Sequence, residues 1–183
     1  IKDSLRQQKV CEFAMKNTFT RSGFELHQRR IAQQKEKIRA AGADAGKEAG
    51  ISHDWHDNFG YEEAKRRLEL ESNLLEQLLS DLEGAEVIDV QEQNVRISIG
   101  ATIILEQDGR KKEITIGGFG ESLPNVGLIE YRSPIAQALI GSEVDEIRSF
   151  RISNTLSELE IIEILPPSHK YFDLISLLKK SKQ

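Results

Sequence analysis

Tyr61-Glu62-Glu63-Ala64-Lys65-Arg66-Arg67-Leu68-Glu69-Leu70-Glu71-Ser72-Asn73-Leu74-Leu75-Glu76-Gln77-Leu78-Leu79-Ser80-Asp81-Leu82 reads as one long amphipathic helix. Tyr61, Leu68, Leu75 and Leu82 recur every seven residues, with Ala64 and Leu78 at intervening seam positions and Leu74 and Leu79 widening the stripe. A sustained seven-residue spacing is the signature of a coiled-coil seam. Glu71 breaks the seam once. Glu62, Glu63, Arg66, Glu69, Glu76 and Glu83 form a solvated outer face. Gly84 marks the stop, because glycine tolerates the left-handed geometry that ends helices.

Upstream lies a second seam. Phe24, Ile31, Ile38 and Ala45 also repeat every seven residues, after Thr20 or Ser22 as the helix cap. The connection around residues 51–59 is short, so the two helices are expected to run antiparallel. Ala40-Ala41-Gly42-Ala43-Asp44-Ala45-Gly46 admits two readings. Either the helix weakens towards its end, since each glycine costs about 1 kcal/mol against alanine, or small residues let the helices close tightly. Residues 1–19 lack periodicity and read as a short helix or loose arm.

After Gly84 the period falls to two or shortens into β-branched runs. The expected strands are Val87–Val90, Val95–Glu106, Glu113–Ile116, Gly127–Tyr131, Glu146–Ile152 and Leu159–Leu165. Gly100 is expected to bend or bulge the second of these, and Asp108-Gly109 to turn a hairpin. Ser133 caps a short helix with Pro134 in its first turn and Gly141 beyond its end. Tyr171 to Lys180 reads as an amphipathic tail helix. The expected architecture is α+β. It comprises an extension over 1–19, a coiled-coil hairpin over 20–84, a small antiparallel β-domain with one short helix over 85–166, and a tail over 167–183.

The 183 residues carry a net charge of −5, which argues against broad nucleic-acid coating. Lys and Arg outnumber Asp and Glu over residues 1–50, and the reverse holds over 51–90. Paired helices would neutralise one another, or the asymmetry would steer a docking event. No apolar run approaches a membrane span, and no apolar h-region follows Ile1–Arg6. Cys11 is the single cysteine, so an intrachain disulfide is impossible and a cytoplasmic location is expected.

The chemistry concentrates in His53-Asp54-Trp55-His56-Asp57-Asn58, between the helices. Asp54 and Asp57 are three apart, a spacing that puts both on one face of a helical turn. Close carboxylates suit Mg2+, which prefers oxygen ligands and keeps several waters. Equally, either aspartate suits the start of the second helix. His53 and His56 add metal-ligand chemistry, but a turn offers little second shell. Trp55 packs back on Phe59 or Tyr61, or meets a partner. His27 and His169 lie far off in sequence, and no nucleophile–base set stands out.

Three stretches resemble the Gre family of bacterial transcript-cleavage factors. Asp54-Trp55-His56-Asp57-Asn58-Phe59-Gly60-Tyr61 is similar to the family's tip, typically Asp-Leu-x-Glu-Asn-x-x-Tyr. Ala85-Glu86-Val87-Ile88-Asp89-Val90 is similar to its hinge. Tyr131-Arg132-Ser133-Pro134-Ile135-Ala136-Gln137-Ala138-Leu139-Ile140-Gly141 resembles its Ser-Pro-Ile-Ala segment. Thr20-Arg21-Ser22-Gly23-Phe24 resembles the start of its first helix.

The resemblance implies an FKBP-like β-domain that docks on RNA polymerase through Ser133, Pro134 and Ile135. It implies a hairpin that enters the secondary channel and acts on the backtracked RNA 3′ end. Asp54 and Asp57 would help hold a Mg2+ belonging to the polymerase, supported by Asn58, Tyr61 and Lys65. The chain itself would be no enzyme, with no cofactor of its own, and would act as a monomer, meeting DNA only through polymerase and no membrane. Asp57 stands where the family has Glu and is shorter by about 1.5 Å. Gly50 replaces a frequent Arg, and Gly60 a frequent Glu. An alternative is therefore a secondary-channel regulator that modulates or inhibits polymerase without stimulating cleavage. A peptidyl-prolyl isomerase would need an aromatic-lined pocket, for which the β-domain offers Phe119, Tyr131 and Phe150. A hydrolase on the His/Asp turn is the remaining reading.

Overall fold

The computed structural model of the chain describes residues 17–51, 59–92, 95–107, 109–152 and 155–181. They form two compact units. One is helical and spans Glu25–Glu83; the other combines the residues on both sides of it.

The helical unit contains α1 (Arg21–Ile51, which starts in the other unit) and α2 (Phe59–Ser80). Their seam is polar at two levels. His27 Nε2 lies 2.7 Å from the Leu78 carbonyl. Gln34 Nε2 donates to the Glu71 carbonyl at 2.8 Å and to Glu71 Oε2 at 2.6 Å. Seven residues forward on α1 correspond to seven residues back on α2, which fixes an antiparallel register. The next step falls on Ala41 and Ala64, both on the seam side. The break at Glu71 is thus matched by Gln34, which is 3% exposed. A pattern of apolar residues alone does not reveal that match.

The helix does not end near residue 40 but continues to Ile51. Ala41 is buried on the seam side, whereas a Cβ added at Gly42 or Gly46 would meet nothing within 4 Å, so the glycines are not what the partner helix packs against. Arg39–Glu36, Lys47–Asp44 and Arg66–Glu63 join neighbours on one helix, so these pairs do not stitch α1 to α2.

The second unit begins with β1 (Thr18–Thr20), a strand where the sequence reading put the end of a loose arm. It pairs in parallel with β2 (Glu86–Ile88), in register Thr18↔Glu86 to Thr20↔Ile88. This two-stranded clamp joins the segment that precedes α1 to the segment that follows α2. Arg21 adds a bidentate contact to Asp89, both side chains being exposed; such surface pairs contribute little.

The main sheet is built from β3 (Thr102–Gln107), β4 (Arg110–Gly117), β5 (Leu128–Glu130), β6 (Ile147–Ile152) and β7 (Thr155–Leu165). Their order is β5-β4-β3-β7-β6. The sheet is mostly antiparallel, as expected, with β5 alone pairing parallel to β4. The 3-10 turn Pro124–Val126 and the left-handed Gly127 return the chain for that pairing.

The expected strand Val95–Glu106 is also corrected. Residues 95–101 are not strand, although Ile97 and Ile99 are buried in the core. Ile97 exchanges backbone hydrogen bonds with Gly141 and Ser142 beside the short helix, and Gly100 turns with φ +94° before β3 begins. The bulge falls later, between Ile104 and Leu105.

Helix α3 (Pro134–Leu139) packs with Ile103, Leu105, Ile116 and Ile161 to form the core of one face. Helix α4 (Pro167–Ser181) buries Tyr171, Leu174, Ile175 and Leu178. Lys170 pairs with Glu113 of β4 at 3.0 Å, which by strand alternation lies on the opposite face from Ile114 and Ile116. No described helix is long and apolar enough to cross a membrane.

Candidate functional site

The tip positions Asp54, Asp57 and Asn58, with His53, Trp55 and His56, lie outside the described residues. The bounds of α1 and α2 make 52–58 the connection between the paired helices. Tyr61 and Lys65 sit one turn apart on α2, Tyr61 half-buried on the seam side and Lys65 exposed. Among the described residues no group of three or more His, Cys, Asp or Glu could hold a metal ion. His27 is spent on the Leu78 carbonyl, and His169 lies 3.9 Å from Glu113.

Ser133, Pro134 and Ile135 come together at the start of α3. Ser133 Oγ accepts from the Ala136 N–H at 3.2 Å, satisfying one of the donors that a helix start leaves unpaired. Pro134 is exposed, and half-buried Ile135 packs against the core. Beside them Arg132 lies over the rings of Phe119 (5.1 Å) and Tyr131 (5.6 Å), and its Nε donates to Tyr131 Oη at 3.1 Å. Tyr131 and Phe150 are buried in the core, and Phe119 packs 5.0 Å from Phe19. The three aromatics that an isomerase pocket would need are therefore used in packing.

The root of α1 carries a group the sequence reading missed. Glu121, in the loop after β4, is 0% exposed. Its Oε1 accepts from the Thr20 hydroxyl at 2.5 Å, and its Oε2 accepts from the Gly118 N–H at 2.7 Å and the Tyr171 hydroxyl at 2.9 Å. Thr20 Oγ1 in turn accepts from the Gly23 N–H at 3.0 Å, so Thr20 is the cap of α1. Burial pushes the Tyr171 phenol well above the ordinary tyrosine range, and the adjacent Glu121 charge raises it further. The only sequence signal was a charged residue directly after Gly117-Gly118-Phe119-Gly120, which a loop assignment absorbs without comment.

These features define a class: an α+β protein whose antiparallel helical hairpin is inserted between the two strands of a parallel clamp. The family model for the GreA/GreB transcription elongation factor C-terminal domain matches residues 92–166. A transcription elongation factor GreA from Nautilia profundicola is 34% identical over 139 residues, covering 72% of this chain and 84% of that protein. GreA from Nitratiruptor is 30% identical over 152 residues, covering 81% and 93%. The chain belongs to the GreA/GreB family of transcription elongation factors. A solved structure of GreA factor homolog 1 from Thermus thermophilus aligns at 21% identity with a TM-score of 0.40, covering 81% of this chain and 98% of that one.

Proposed function

We propose that this protein binds RNA polymerase, enters its secondary channel with the helical hairpin, and stimulates the polymerase's own cleavage of backtracked RNA. The observation that carries this reading is the stalk itself: two helices in fixed antiparallel register, in a GreA/GreB-family chain, leading to a connection that contains Asp54 and Asp57. A thin rod can deliver charge where a globular domain cannot follow. The two carboxylates offer hard oxygens of the kind Mg2+ takes. They act in trans, on the metal and water of the polymerase, as one part of a two-metal phosphodiester hydrolysis. Asn58, Tyr61 and Lys65 hold the shape of the tip, and Ser133, Pro134 and Ile135 dock the β-domain. The chain is an accessory factor without a cofactor of its own.

The second reading, a channel-binding regulator that does not promote cleavage, is favoured by one residue. Asp57 falls where the family's tip has Glu, and a displacement of 1 Å costs on the order of 100-fold in rate. One experiment separates the two. Backtracked elongation complexes are given the protein with Mg2+, and the RNA 3′ end is followed. Short 3′ fragments and resumed synthesis, both lost in Asp54→Ala, support the first reading. Binding with slowed synthesis and no fragments supports the second, and no binding removes both.

A further inference from the structure

We infer that Glu121 and Tyr171 are positioning residues that lock the first turn of α1 to the β-domain, with the tail helix α4 supplying one of the donors. This deepens the proposed function and rests on it for the polymerase readout below.

Three elements distant in sequence meet on one carboxylate. Thr20 is 101 residues from Glu121, and Tyr171 is 50 residues away on the other side. Thr20 stands at the junction of β1 and α1, Gly118 in the loop after β4, and Tyr171 in the second turn of α4. The packing leaves no slack. A Cβ at Gly23, in the first turn of α1, would lie 2.9 Å from Glu121 Oε1. A Cβ at Gly118 would lie 2.9 Å from the Thr20 backbone nitrogen. The Phe119 N–H donates to the Thr18 carbonyl at 2.8 Å, and the Thr18 N–H donates to the Tyr131 hydroxyl at 3.0 Å.

Burying a carboxylate among hydroxyls and a backbone N–H is a poor way to gain stability, since well-packed hydrocarbon of similar volume often does as well or better. What the carboxylate adds is direction. Two oxygens with three donors from three elements admit one arrangement of those elements, whereas an apolar contact admits many. The family-model match ends at residue 166, five positions before Tyr171. The tail therefore supplies one of the donors that hold the base of the stalk.

The test uses Tyr171→Phe, which removes one oxygen, and Glu121→Gln, which keeps the size. Amide hydrogen exchange is read at Gly118 and Gly23, together with thermal unfolding. Cleavage of backtracked RNA is titrated with each protein well below its melting temperature. The expected result is at least tenfold faster exchange at those two amides. The plateau cleavage rate should fall several-fold while the half-saturating concentration stays unchanged. A merely stabilising role would lower the melting temperature and leave the plateau intact, and that result overturns the inference, as does unchanged exchange in both variants. If the wild-type protein itself neither binds nor stimulates polymerase, the functional reading falls separately. The exchange result then decides alone whether Glu121 and Tyr171 lock the root.

Discussion

Gln34 and Glu71 meet across the seam of the stalk, where the Gln34 amide nitrogen is shared between the carboxylate of Glu71 and its backbone carbonyl. A polar pair at such a position specifies register at a cost in stability. Replacing only Gln34 with Leu removes the donor to the half-buried Glu71 carboxylate, and about 1 kcal/mol of helical-unit stability should be lost. The double change Gln34→Leu with Glu71→Leu should recover that loss or exceed it. Urea titrations followed by far-ultraviolet circular dichroism give both numbers, and a double variant weaker than the single one would refute this account.

Tyr171 makes stability fall at alkaline pH. The folded phenol is held above its ordinary value, chiefly by burial and then by Glu121. Above about pH 10 the unfolded chain releases this proton while the folded chain keeps it. The native state then binds more protons, so unfolding becomes easier as pH rises. At neutral pH Tyr171→Phe should cost about 1.5–3 kcal/mol, the range for a hydrogen bond to a charged group. The gap between the two proteins should narrow as pH climbs past 10. Denaturant midpoints at three pH values provide the check.

Two glycines should respond in opposite directions to alanine. At Gly100 the backbone has φ +94°, and a Cβ would lie 2.1 Å from Val90 Cγ1, so Gly100→Ala should cost about 2 kcal/mol or more. At Gly46, inside α1 with nothing within 4 Å of the added carbon, the same change should stabilise by about 0.5–1 kcal/mol. Thermal melts of both variants rank them against the parent protein.

At the tip, Asp57→Glu restores the longer side chain seen in the family pattern. If reach limits the chemistry, cleavage of backtracked RNA should rise by about tenfold or more. Gel analysis of 3′-end fragments measures it. An unchanged rate would assign the limit elsewhere, with Gly50 and Gly60 the next positions to replace.

Some of this molecule was legible in its residues, for identifiable reasons. The leucines at 68, 75 and 82 keep a strict period, so the stalk helix follows from spacing, and its antiparallel partner from the short connection between the two helices. Ser133-Pro134 states its helix start directly, because cap and first-turn preferences are local. Gly109 likewise ends up in the hairpin between β3 and β4. What failed depended on distant partners. Residues 95–101 have strand-like composition, but Ile97 takes its hydrogen bonds from the end of α3, some 45 residues on. Thr18–Thr20 is too short to announce itself and is a strand only because Glu86–Ile88 lies beside it. Along the stalk, Glu71 looked like a break in the apolar seam until Gln34 of α1 supplied its partner. Glu121 carried no more than its place after a glycine-rich loop, since its meaning lies in Thr20 and Tyr171.

The parallel pairing of Thr18–Thr20 with Glu86–Ile88 has a consequence for how such molecules change over time. Both ends of the inserted hairpin are gathered at one spot, the β1–β2 pair, so residues can be added to its arms without moving the strands that carry it. Adding or deleting seven residues on each arm preserves which side chains face inward and moves the far end by about 10.5 Å, at 1.5 Å per residue. The insert can thus change length in whole heptads without redesign of the two strands that carry it.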